Sequence, residues 1–133
     1  MDYITDTKGS ARYPGIATLG FIAGFDETLA LGIITSKGIA PLKEALQFEQ
    51  DEKVKEDAAW TLGRIGMHSG QHARAMAEAD IFKLLLSIQK SSHTGEDLKR
   101  QSGIALKLIL QQCTYLPALE PLIQVLQTAS FPF

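Results

Sequence analysis

The chain has 133 residues, 45% apolar and 21% charged, with 13 basic and 15 acidic residues and a formal net charge of −2. That composition suffices for one ordinary domain with a core. It leaves no net basic field to draw nucleic acid or anionic lipid, so neither is expected as a partner. The single cysteine, Cys113, excludes an internal disulfide framework. Residues 1–10 are polar and carry no apolar signal segment, and no run reaches the ~20 apolar residues that a membrane span takes. The reading is a soluble, cytoplasmic chain.

In chain order, residues 1–10 form a flexible lead-in and 11–25 a helix, with Pro14 near its start, where a missing N–H is tolerated. Asp26 is placed to cap a helix running to about Ser36, with Glu27 in its first turn and Leu29 and Ile33 turned inward. Lys37-Gly38 ends it, glycine supplying the left-handed position. A third helix over 39–48 aligns Ile39, Leu42 and Leu46, and Pro41 falls in its first turn. After an acidic turn over 49–52, the stretch 53–67 shows the clearest helical stripe, Val54, Ala58, Leu62 and Ile65.

The cycle then restarts. Ser69 caps a short helix over about 71–79, and Asp80 caps another bearing Ile81, Leu84, Leu85 and Ile88. Residues 91–95 form a polar loop. Glu96 and Asp97 open a long helix to about Cys113, their charges suited to its N-terminus. Pro117 and Pro121 then interrupt the chain before a final helix over 122–128. No alternating strand pattern occurs, so the fold class is all-α, with helices running long, short, medium, long, short, medium, long.

The order reflects an internal repeat. Thr18-Leu19-Gly20-Phe21-Ile22 returns 43 residues later as Thr61-Leu62-Gly63-Arg64-Ile65, and more faintly 44 residues on as Ala105-Leu106-Lys107-Leu108-Ile109. Helical units of this period build armadillo and HEAT solenoids, and three helices per unit with a long third one favour the armadillo kind. The expected division is a partial repeat ending in the helix 11–25, full repeats over 26–68 and 69–113, and a proline-interrupted partial repeat over 114–133. Each unit packs mainly on its neighbours, and the array presents an extended surface to partners.

Ala58-Ala59-Trp60-Thr61-Leu62-Gly63-Arg64-Ile65-Gly66 resembles the third helix of an armadillo repeat. Taken in order with Tyr13-Pro14-Gly15-Ile16, Ser36-Lys37-Gly38, His72-Ala73-Arg74-Ala75 and Cys113-Thr114-Tyr115-Leu116-Pro117-Ala118-Leu119-Glu120-Pro121, it resembles the later repeats of the flagellar central-pair armadillo family (sperm-associated antigen six and its algal and protist counterparts). The resemblance runs from about Asp2 to Leu122. It implies a right-handed superhelical solenoid that acts as a scaffold of the axonemal central pair, needed for flagellar motility, with axonemal or microtubule-associated proteins as partners. Family members are several times longer. A bare stack lacks polar capping repeats, so end-to-end self-association through its uncapped ends is expected.

Residue chemistry points the same way. His68 and His72 are four apart, but Ser69-Gly70 lies between them and no third ligand is evident, so they read as two surface histidines near a loop and not as a metal site. Cys113 has no activating base and reads as an apolar filler at a helix end. No phosphate-binding loop or catalytic signature occurs. Neither catalysis nor a cofactor is expected.

The candidate partner-binding residues lie on the long helices. Asp57, Trp60 and Arg64 share one face, and Gln101, Ile104 and Leu108 occupy the corresponding face one repeat on. Arginine and tryptophan recur in binding hot spots, although a tryptophan packed between helices is as consistent with the pattern. In armadillo proteins that clamp extended peptides, an asparagine stands four residues after the tryptophan. Here Arg64 stands there, with Phe21 and Leu108 as its repeat equivalents. That speaks against the rival reading, a soluble adaptor for transport or signalling peptides. The charges Lys53, Lys55, Glu56, Lys99 and Arg100 read as a solvated rim.

Overall fold

The computed structural model describes residues 13–113, which form seven α-helices and, among the described residues, no strand. They are α1 (Tyr13–Phe25), α2 (Glu27–Thr35), α3 (Ile39–Phe48), α4 (Glu52–Gly66), α5 (Gly70–Glu78), α6 (Ile81–Lys90) and α7 (Glu96–Gln112). The long helices α1, α4 and α7 stack side by side in that order, and the shorter helices fill the space behind them. The expected lead-in over 1–10 and the proline-interrupted segment over 114–133 lie outside the described residues.

Local chemistry sets the helix starts. The Asp26 carboxylate accepts from the amides of Thr28 (2.7 Å) and Leu29 (3.1 Å), and Ser69 Oγ accepts from His72 N. Each satisfies amides that the first turn of a helix leaves without partners. The helix α4 starts at Glu52, one residue earlier than predicted, and Asp51 caps it, accepting from Lys53 N at 2.9 Å. Asp80 does not cap α6. It adopts a left-handed conformation (φ 60°), whereas a side-chain cap needs extended backbone to reach the next turn.

The end of α2 corrects a second expectation. The left-handed residue is Lys37 (φ 63°), not Gly38, whose φ is −74°. Lys37 N bonds to Ile34 O and Gly38 N to Ile33 O, the paired closure of a Schellman turn. Lys37 and Asp80 stand 43 residues apart, so the same corner recurs in each repeat.

The core runs the length of the stack. Leu42 and Leu46 of α3, Leu62 and Ile65 of α4, Met76 of α5, Leu85 of α6, and Leu106 and Ile109 of α7 are all essentially inaccessible. In α2 the inward stripe is Ala30 and Ile33; Leu29, expected inside, is 47% exposed. A nine-residue helix presents only a narrow face, and the stripe through Ala30 lies against the neighbouring helices instead. In α6 the buried set is Ile81, Phe82, Leu85 and Leu86, with Leu84 and Ile88 only partly covered.

His68 and His72 are not surface histidines. His72 is 1% exposed, and its Nε2–H donates to Glu27 O at 3.0 Å, while Ser69 Oγ lies 2.7 Å from Nδ1. The half-buried His68 turns its Nε2 to Ala23 O. The two rings, 5.5 Å apart, fasten the α4–α5 corner onto the α1–α2 corner of the preceding repeat. Both Nε2 atoms are committed to backbone carbonyls, so the pair is a joint between repeats. Cys113 is a buried thiol closing α7.

Candidate functional site: a cleft between the long helices

Why α1 and α4 can approach so closely is visible at Gly20. A Cβ there would fall 2.7 Å from Trp60 Cε3 and 2.8 Å from Thr61 Oγ1, so only glycine leaves room for the indole. Thr61, fully buried, donates from Oγ1 to Ile16 O at 3.0 Å and ties the two helices together. Trp60 is thereby held with one part packed and one part open.

Around that indole a shallow cleft of about 270 Å³ forms. Ala17 and Phe21 of α1 make one wall, Lys53, Glu56, Asp57 and Trp60 of α4 make the floor, and Gln101 of α7 closes the far side. Phe21, 70% exposed, meets Trp60 edge-to-face with ring centroids 5.0 Å apart and planes at 69°, the arrangement that aromatic quadrupoles favour. The Arg64 guanidinium lies over Trp60, 5.4 Å from the ring centre, and Nη1 reaches Met67 Sδ at 3.9 Å. A cation over an indole is attracted by the negative face of the ring.

The six residues anticipated from sequence therefore divide. Asp57, Trp60 and Gln101 line the cleft together, and Arg64 adjoins it through the indole. Leu108 is half-buried, close to Gly63. Ile104 is exposed but lines a separate groove nearer the end of the stack. Phe21, Ala17, Lys53 and Glu56 were not among the six. The signal that could have found Phe21 was the repeat, since it stands one period before Arg64.

Glu56 is more than a solvated rim charge. Partial burial raises its carboxyl above the ordinary carboxylate range, Asp97, Asp57 and Glu52 add like-charge repulsion, and Lys53 opposes the rise. The cleft is thus an aromatic corner with an acidic floor. It is open and shallow, unlike the enclosed pockets that bury small ligands.

Comparison with known proteins agrees with the architecture. Residues 33–66 match the armadillo/beta-catenin-like repeat family. Among solved structures, a designed armadillo repeat protein superposes with a TM-score of 0.73 at 18% identity, over 97% of this chain and 56% of that one. An engineered protein gives 0.72 at 19% identity, over 98% and 54%. The chain therefore has the fold of an armadillo-repeat α-solenoid. It is also a partial homologue of sperm-associated antigen 6, being 49% identical to the Homo sapiens protein and 48% identical to the Mus musculus protein over 80 residues. That match takes in 60% of this chain but only 16% of the length of either relative.

Proposed function

We propose that this chain is a non-catalytic protein-interaction scaffold belonging to the central pair of the motile axoneme. The cleft between α1, α4 and α7 is its partner-binding surface. The observation that carries the reading is the joint occurrence of an open aromatic cleft on the long helices and the 48–49% identity to sperm-associated antigen 6. Asp57, Trp60, Arg64 and Gln101 are its central contacts. An aromatic anchor with an arginine beside it is the kind of centre around which interfaces concentrate their energy. Partner segments would lie along the stack, as helices or extended strands docking in a groove.

The test is the location of the tagged protein in a flagellated cell that encodes it, with and without Trp60→Ala/Arg64→Glu. Axonemal signal that resists detergent, and that weakens in the double variant, supports the reading. A diffuse or nuclear protein rejects it in favour of a soluble adaptor.

A further inference from the structure

The chain has three methionines. Of the two among the described residues, Met76 is fully buried in the core, whereas Met67 stands partly exposed at the end of α4. A thioether that solvent reaches is open to oxidation, and one enclosed by packed side chains is shielded. Met67 is also placed where the change would be felt. Trp60, Arg64 and Met67 follow at steps of four and three, so they form one stripe along α4 and its C-cap.

Arg64 is held between the other two. Its stem lies against α1, where a Cβ on Gly24 would press on Arg64 Cδ at 3.2 Å. Its guanidinium sits 5.4 Å from the Trp60 ring centre, and Nη1 reaches Met67 Sδ at 3.9 Å. Both attractions are weak. A thioether is a poor acceptor, and a cation over a ring near solvent is held loosely. A guanidinium so placed moves to whichever side gains the stronger partner.

We infer that Met67 is a redox-modification site whose sulfoxide draws Arg64 away from the indole. The oxidant is a peroxide. A lone pair on Sδ attacks one peroxide oxygen, an S–O bond forms and the O–O bond breaks. With hydrogen peroxide, the proton on the transferred oxygen leaves with the departing hydroxide as water. Sulfur gives up two electrons and the peroxide takes them. The oxygen so added is a full acceptor beside Nη1, and a hydrogen bond to it from a charged donor outweighs a solvent-exposed cation–π contact. Methionine sulfoxide reductases reverse the step. The indole face that Arg64 covered is then bare beside the cleft. A consequence for docking rests on the cleft being the partner-binding surface; the modification and the movement of Arg64 do not.

Two measurements on the full chain, with no partner present, test this. After brief treatment with hydrogen peroxide under native conditions, tryptic mass mapping compares the peptide 65–74, which holds Met67, with 75–83, which holds Met76. Met67 is expected to gain one oxygen about tenfold faster or more. Proton NMR then follows the Arg64 side-chain signals, which the ring current of Trp60 displaces upfield. That displacement is expected to be largely lost on oxidation, while the Met76 methyl signal in the core stays in place. In Met67→Leu, a swap of similar volume, peroxide should leave the Arg64 signals where they were. Equal oxidation rates at Met67 and Met76, Arg64 signals that stay put once Met67 is oxidised, an equal shift in Met67→Leu, or collapse of the Met76 signal together with the Arg64 shift would each overturn the proposal.

Discussion

Two joints hold the long helices together, and they are built differently at equivalent positions. Gly20 of α1 and Gly63 of α4 stand one repeat apart. At the α1–α4 joint the glycine makes room for an aromatic ring, and a polar tie, Thr61 to Ile16 O, completes the contact; His68 to Ala23 O and His72 to Glu27 O fasten the adjoining corners. At the α4–α7 joint the glycine lets two backbones approach, because a Cβ on Gly63 would lie 2.9 Å from both Cα and Cβ of Ala105. The surroundings there are apolar, with Leu62, Ile65, Leu106 and Ile109 fully buried. One repeated residue thus serves two purposes. The first joint leaves an indole facing a cleft, and the second is closed.

The same substitution at both glycines separates the two modes. Gly63→Ala is expected to destabilise by about 3 kcal/mol, since a backbone atom cannot move aside as a side chain can. Urea unfolding reads this as a lowered midpoint; an unchanged midpoint would mean that α7 slides freely over α4. Thr61→Val removes the donor to Ile16 O inside the first joint and should cost about 2 kcal/mol by the same measurement. Gly20→Ala should cost about 2 kcal/mol: the half-open indole can swing outward and alanine regains helix propensity, but Thr61 Oγ1, 2.8 Å from the new Cβ, is buried and held to Ile16 O. A loss as large as at Gly63 would show that the first joint is equally rigid.

Two smaller effects sharpen the contrast. Ser102 of α7 is fully buried and its Oγ has no hydrogen-bond partner among the described residues, so Ser102→Ala should stabilise by about 1 kcal/mol. A destabilised variant would indicate that the hydroxyl is in fact engaged. Glu56→Gln should stabilise by roughly a few tenths of a kcal/mol at neutral pH, since solvent screens much of the effect. The sign comes from the raised carboxyl: in the window between its unfolded and folded titrations the folded state holds more protons, so stability falls as pH rises. The gain should therefore vanish on acidification below the ordinary carboxylate range, which chemical unfolding at several pH values would detect.

The helix order was legible in the sequence because each helix carries its own 3.6-residue stripe, and the 43-residue period ties the stripes together. Asp26 and Ser69 were legible as caps for the same local reason. What escaped depends on neighbours. Leu29 lies outside because α2 leans on its Ala30 stripe. The left-handed turn settled on Lys37 because the closure after α2 places that conformation one residue before Gly38. His72 is buried because its ring meets a carbonyl 45 residues away, which no local pattern encodes. In the cleft, Trp60, Asp57 and Gln101 were visible as one face. Ile104 departed from it because the groove beside it turns toward α6.

Trp60 is the chain's one tryptophan, and it sits between Gly20, Phe21 and Arg64 at the first joint. The protein therefore carries its own optical probe at the place where α1 meets α4. Its intrinsic fluorescence would report opening of that joint, or occupation of the cleft, without any label.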